Sequence, residues 1–293
     1  MAMKRFAFLL IASAFAATVA QAQIVSDESR RQERTLPTDV PAVAAPAHTV
    51  SPSEQFRWQQ LIAPGALLAT GTFGVYNSWY REHVNAPIRS YAQQLSGGRQ
   101  LHFDNYIQYV PIISFVGLGF GVPSEHDFTE RFCIAATAYA AEGLLTTCAK
   151  HTFCEPRPDS DARNAFPSGH TATAFMGAEL VRREYGGWWG VGAYAIATTT
   201  ALMRVYNDRH WSNDLLGGAA IGILSADIGY WLLPLERRLF RLDSRGARRN
   251  GSISSHSGSN SSTDRRSLSS GRSSSAAIAL LPTPYGLSFS CVF

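Results

Sequence analysis

The sequence predicts an all-α protein, a helical bundle of about six helices with its chemistry-bearing residues in loops at one end. Apolar stretches rich in Ala, Leu, Gly and aromatics fall at about 60–77, 106–122, 132–149, 171–181, 188–203 and 215–233, and none shows the alternation of a strand. Short polar segments between the later stretches concentrate Lys, Arg, His, Ser and Asp. At 293 residues, with 45% hydrophobic and 16% charged residues, the chain can bury one sizeable core and little more, which predicts one domain with tails.

The ends read differently from the body. Lys4 and Arg5 precede an apolar run from Phe6 to Val19, and Ala20-Gln21-Ala22 supplies small residues at a cleavage site, so residues 1–22 are expected to be an export signal, with an uncut signal anchor as the alternative. Residues 23–55 have linker composition, and the helical body is expected over 56–242. The Ser, Gly and Arg tract at 243–275 lacks the apolar surface to offset ordering and is expected to be disordered; 276–293 is a mildly apolar end of unassigned role. Export would place the four cysteines in an oxidising compartment. Cys133 and Cys148 on one continuous helix would lie roughly 22 Å apart and could not pair, whereas Cys148 with Cys154 is sterically conceivable.

Charge excludes one class of partner. Residues 236–272 hold nine arginines against three acids, so the formal net charge of +4 leaves the rest of the chain slightly acidic. The body has no basic face interleaved with aromatics, which argues against nucleic acid.

Three clusters remain for chemistry. In the first, Pro156 disfavours helix at Glu155, so Lys150 sits near a helix end and Arg157-Pro158 on the loop that follows; two cations can converge on one anion, the arginine as a fork and the lysine as a point charge. In the second, Pro167 and Gly169 break the chain ahead of a helix opening at Thr171, so Ser168, Gly169 and the free N–H groups there form an anion cradle with His170 at its rim. In the third, Arg204 ends an apolar helix, and His210 and Asp214 are four residues apart, spaced for a carboxylate to fix one imidazole nitrogen and leave the other as nucleophile or base. Each cluster alone has a plain structural reading: a solvated basic patch, a satisfied histidine, a helix cap.

The order Lys-x6-Arg-Pro, Pro-Ser-Gly-His, Arg-x5-His-x3-Asp, each beside a hydrophobic helix, resembles the type 2 phosphatidic acid phosphatase superfamily, which also contains bacterial nonspecific acid phosphatases and vanadium haloperoxidases. The resemblance covers roughly residues 100–234. It implies an active site built from loops at one end of the bundle, with His210 attacking phosphorus to form phosphohistidine, Asp214 orienting it and His170 protonating the leaving oxygen. Lys150, Arg157 and Arg204 would hold the phosphate oxygens with the N–H groups of Ser168 and Gly169. No cofactor and no metal are implied, since protein cations supply the charge and no carboxylate cluster suits a metal. Met203 stands where the family often has Ser, removing one possible hydrogen bond behind Arg204. Glu155, inside the first motif, is expected to add negative charge near the phosphate and shape substrate choice.

The implied substrate is a phosphorylated lipid (lipid A, undecaprenyl pyrophosphate, phosphatidylglycerophosphate or phosphatidate) or a small phosphoester; a soluble periplasmic acid phosphatase is the nearest alternative. A haloperoxidase or a non-catalytic anion-binding protein comes after it. The expected location is the bacterial cell envelope, with the site facing the periplasm and the body embedded in or associated with the inner membrane. Arg182-Arg183 and Arg237-Arg238-Arg241 would fall on the side opposite the three clusters, as the positive-inside rule asks. Three spans before Lys150 conflict with a cleaved signal, however, and Glu142, Asp227, Pro64 and Pro111 sit uneasily within spans.

Overall fold

The computed structural model describes residues 51–240 and, for the backbone alone, 277–283 and 286–292. The expected signal segment and Ser/Arg tract lie outside the described residues. After a 3₁₀ turn at Trp58–Leu61 the helices are α1 (Ile62–Tyr76), α2 (Ala86–Ser96), α3 (Asp104–Ile107), α4 (Val110–Leu118), α5 (Phe128–Phe153), α6 (Gly169–Tyr185), α7 (Gly187–Tyr206) and α8 (Ser212–Phe240). The all-α class holds for this unit. A separate unit contains a two-stranded antiparallel hairpin, β1 (Ala277–Thr283) paired with β2 (Gly286–Val292), in a register running from Ala277 opposite Val292 to Thr283 opposite Gly286.

Local chemistry sets the helix ends. Asp127 accepts from the Glu130 N–H at 2.8 Å while the Glu130 carboxylate accepts from the Asp127 N–H at 3.3 Å, a reciprocal cap that starts α5. The same helix stops at Cys154, which has φ 48° just ahead of Pro156. Pro87 opens α2 and Gly97, at φ 56°, closes it. Two expectations need amendment. The stretch at 106–122 gives only the nine residues of α4, because Pro111 fixes its start and glycines at 119 and 121 follow its end. Helix α2 has no counterpart among the apolar stretches, since its polar residues Arg89, Gln93 and Gln94 leave no continuous apolar run.

Helices α6 and α8 form the centre. Every residue of α6 from Thr171 to Val181 is buried, and α8 packs on α1, α5 and α6 while α6 also meets α4 and α7. Such close approach requires missing side chains. A Cβ on Gly222 would stand 2.3 Å from the Ala172 carbonyl oxygen and 2.8 Å from the Met176 nitrogen, and one on Gly218 would stand 2.5 Å from the Ser168 carbonyl oxygen. The N-terminal ends of α6 and α8 and the C-terminal ends of α1, α5 and α7 meet at one end of the bundle.

The opposite end is closed by buried charge. His126 is held between Glu184 (Nδ1 to Oε2, 2.9 Å) and Glu54 (Nε2 to Oε1, 3.3 Å), and Arg237 ties Glu54 (2.7 Å) to Glu130 (2.6 Å). Nearby, Arg183 pairs with Asp227, and Arg182 with Glu179 at 2.6 Å. Burial alone would depress the His126 pKa, but the hydrogen bonds and charges of Glu184 and Glu54, helped by Glu125, outweigh it and raise it to about 9.

Helices α5 and α8, of 26 and 29 residues, are long and apolar enough to cross a membrane. The two differ in what covers them. Helix α8 is mostly buried in the bundle, whereas α5 presents Phe128, Phe132, Tyr139 and Leu144 outward.

Two outcomes are expected. Gly222→Ala should lower stability by roughly 1–3 kcal/mol through overpacking, while Gly143→Ala, on the exposed face of α5 with nothing within 4 Å of the added Cβ, should raise it by about 0.5–1 kcal/mol; thermal unfolding of both variants reads the contrast. Because the folded pKa of His126 lies above its unfolded value near 6.5, its contribution is complete below that value and lost as pH rises through about 9. The unfolding midpoint should therefore fall by several degrees over this window, and the fall should shrink in His126→Asn.

Candidate active site

All three clusters of the sequence reach one end of the bundle, and helix termini put them there. Lys150 is in the last turn of α5, Arg157 on the loop behind it, Ser168 to His170 at the start of α6, Arg204 in the last turn of α7, and Asp214 in the first turn of α8, with His210 on the loop between these last two. The first turn of α8 fixes the spacing of the last pair. His210 Nδ1 lies 3.2 Å from Asp214 Oδ2, which also accepts the Trp211 N–H at 2.8 Å. His210 and Asp214 are 3% and 0% exposed, so bulk water does not compete for this bond.

The cations surround that imidazole. Burial first, then the charges of Arg204, Lys150 and Arg157, push the His210 pKa well below its usual value, which leaves the ring neutral with a lone pair at neutral pH. Asn164 positions two of the three: its main-chain carbonyl accepts from Lys150 Nζ at 2.7 Å and its side-chain oxygen from Arg157 Nε at 2.7 Å. Lys150 also donates to the Pro167 carbonyl at 2.7 Å. Arg204 is held by Asp104 (2.5 Å), and its Nε is buried without a hydrogen-bond partner among the described residues.

His170 stands across the site at the start of α6. Its Nε2 lies 2.9 Å from Asn105 Oδ1. Burial, then the charge of Arg204, lowers its pKa to about 4 despite Asp104 nearby. Asp104 and Asn105 on α3 are therefore partners of two site residues, and sequence reading missed them. An isolated Asp-Asn pair 100 and 65 residues from its contacts carries no motif.

Two expectations are corrected. The Ser168 N–H does not face the site: it donates to the main-chain carbonyl of Asp214 at 3.0 Å, and the Ser168 hydroxyl accepts from Thr171 at 3.0 Å. The helix-start donors left for an anion are those of Gly169 and the residues after it. Glu155 does not point at a phosphate either. It is 4% exposed, takes the Asn213 amide on Oε2 at 3.0 Å, and lies beside the Asp214 carboxyl. The same Asn213 amide lies 3.4 Å from Asp214 Oδ1. Asn213 in turn accepts from Asn85 at 2.8 Å, and Asn85 accepts from Ser212 at 2.6 Å.

A clamp from α2 joins the two loops of the site. Arg89 grips Asp208 through Nε (2.7 Å), donates to the Pro158 carbonyl at 2.6 Å, and lies over the Trp211 ring. Trp211 Nε1 donates to the Pro156 carbonyl at 2.9 Å, and Arg209 pairs with Asp159 at 2.9 Å. Cys133, Cys148 and Cys154 are free thiols, so the conceivable Cys148 to Cys154 bridge is not formed.

A lipid A 1-phosphatase of Porphyromonas gingivalis is 37% identical over 158 residues, covering 52% of this chain and 36% of that protein, so the match spans about a third of the relative's length. A crystal structure of LpxE from Aquifex aeolicus aligns over 50% of this chain and 93% of its own, at 21% identity and a TM-score of 0.38. Residues 131–238 match the PAP2 superfamily, a segment that holds Lys150, Arg157, Ser168, Gly169, His170, Arg204, His210 and Asp214. By that match, residues 131–238 are similar to a PAP2 superfamily domain.

Proposed function

We propose that this chain is a phosphatase of a membrane-associated lipid phosphate, with a lipid A-type phosphomonoester as the first candidate, and that it works through a phosphohistidine on His210. The observation that carries the reading is a buried, neutral imidazole fixed on one nitrogen by a carboxylate and ringed by three cations. Neutrality makes His210 a nucleophile. Asp214 on Nδ1 leaves Nε2 with the lone pair, and the charge that depresses protonation of the ring is the charge that would neutralise phosphate oxygens.

The chemistry follows from the roles available. His210 Nε2 attacks phosphorus as the bond to the leaving oxygen breaks, and His170 gives that oxygen its proton. Water then attacks the phosphohistidine while His170 takes a proton back, and inorganic phosphate leaves. Lys150, Arg157 and Arg204 bind the non-bridging oxygens with the first-turn N–H groups of α6, beginning at Gly169. Within the protein, a Cβ on Gly169 would meet only Thr146, at 3.8 Å, so packing does not demand glycine there and close approach of an anion supplies the reason. His170, with its pKa near 4 in the free site, is neutral at rest. Its proton must arrive with the substrate, because a bound phosphate offsets the Arg204 charge that keeps the ring unprotonated.

Two features support a lipid. A relative that matches over 52% of this chain is named for lipid A, and α5 turns large apolar side chains outward over a membrane-scale length. We place the protein in the bacterial envelope with the site towards the periplasm.

Phosphate release from lipid A, other lipid phosphates and p-nitrophenyl phosphate tests this reading. Release should survive EDTA, be blocked by vanadate, and fall at least about a thousandfold in His210→Ala; release that needs a metal or persists in the variant would sink it. His170→Ala should cost roughly 10²–10⁴-fold on a sugar or alkyl phosphate, whose leaving oxygen needs a proton, and much less on p-nitrophenyl phosphate, whose leaving group does not. Equal losses on both would remove His170 as the acid.

A further inference from the structure

Two buried carboxyl groups converge on one amide beside the proposed nucleophile. The Asn213 side-chain nitrogen lies 3.0 Å from Glu155 Oε2 and 3.4 Å from Asp214 Oδ1, and the two residues are 4% and 0% exposed. Two ionised carboxylates around one neutral amide in a site closed to water would repel, and an ionised carboxylate can only accept, so the pair holds a proton. Asp214 accepts the Trp211 N–H and lies beside His210, Lys150 and Arg157, which favour its charged form. The protonated partner is therefore Glu155.

We propose that Glu155 is a positioning residue that shares one proton with Asp214, so that the pair holds His210 with a single negative charge. The role rests on the phosphatase reading; the shared proton rests on the two buried carboxyls meeting at Asn213. One charge is what the chemistry needs. Attack on phosphorus makes the His210 ring cationic, and a carboxyl pair of charge −1 balances that ring without a second, repelling charge in a site closed to water. A donor on Asp214 also weakens its pull on the Nδ1 proton, which keeps that proton on the ring and the lone pair on Nε2.

The groups around the pair agree with this assignment. Glu155 faces Asp214 and Asn213 from α8 and Arg81 from the turn before α2; Asp214 faces His210, Lys150 and Arg157. Burial first, then the adjoining Asp214 carboxylate, raise the Glu155 pKa to about 9, with Asn213 and Arg81 opposing. Glu155 thus stays protonated through neutral pH. The shared proton is lost only as pH rises through about 9, when a second negative charge appears behind His210.

Glutamine at this position copies the neutral form, with an amide donor for Asp214, and cannot ionise. Glu155→Gln should keep kcat within about threefold at pH 7 and lose the alkaline fall in kcat near pH 9, while Glu155→Ala should lower kcat by at least about tenfold with KM changed less than about threefold. The infrared carbonyl stretch of a protonated carboxyl should be present in wild type at pH 7 and missing from the Glu155→Gln difference partner. If Glu155→Ala fails to fold, Glu155→Gln and the infrared band decide alone. An unchanged band, or a Glu155→Gln enzyme that keeps the wild-type alkaline limb, overturns the proposal. Wild-type protein without phosphatase activity would overturn the functional reading, and the band would still decide the shared proton.

Discussion

The Ser168 N–H meets the main-chain carbonyl of Asp214 at 3.0 Å, and that bond is possible only because α6 and α8 approach closely at their N-terminal ends. Glycines at 218 and 222 take the place of side chains that would collide with the main chain of Ser168 and Ala172. Two segments distant in sequence are thereby held at fixed separation: the start of α6 with His170, and the turn that carries His210 onto Asp214. A cavity-lining loop could drift by an ångström; two central helices bonded main chain to main chain do not.

Electrostatics builds on this frame. Three cations near one buried imidazole would repel in any arrangement that lacked acceptors, and each has one: Asn164 and Pro167 carbonyls for Lys150, the Asn164 side chain for Arg157, Asp104 for Arg204. The acceptors for Lys150 and Arg157 are neutral, so little of their positive field is cancelled. Among the described residues only Arg204 of the three is paired with a formal anion, and its Nε has no hydrogen-bond partner there. The result is a site whose field favours anions while its histidines stay unprotonated. The other end of the bundle uses the opposite solution, with carboxylates on His126 that keep the ring charged. The same residue type takes two protonation states at pH 7 because its neighbours differ in sign.

Much of this was legible in the chain itself. Helical stretches and the end of α5 ahead of Pro156 follow from apolar pattern and local turn chemistry, and the gathering of the three clusters follows from the family resemblance of the motifs. What escaped has a physical reason. Asn85, Arg89, Asp104 and Asn105 act across more than sixty residues of chain, and their types are ordinary for a helix surface, so nothing local distinguishes them. Glu155 misled because a charge within a phosphate motif suggests the phosphate. Its direction depends on Asn213, a contact that sequence spacing does not encode. Ser168 misled for a related reason: the turn at Pro167 and Gly169 was legible, while the Ser168 N–H is taken by a carbonyl 46 residues away.

The clamp from α2 bears on what counts as the smallest working piece of this protein. Arg89 fastens the loop after α5 to the loop before α8, and Asn85, Asp104 and Asn105 reach Asn213, Arg204 and His170. All four lie upstream of residue 131, where the match to the family model begins. The portion that inherits the motifs thus borrows its rigidity from a portion that does not. A chain that kept the motifs but differed upstream would have to brace the same loops with other residues, so changes before α5 can reset the geometry of the site without touching the motif residues.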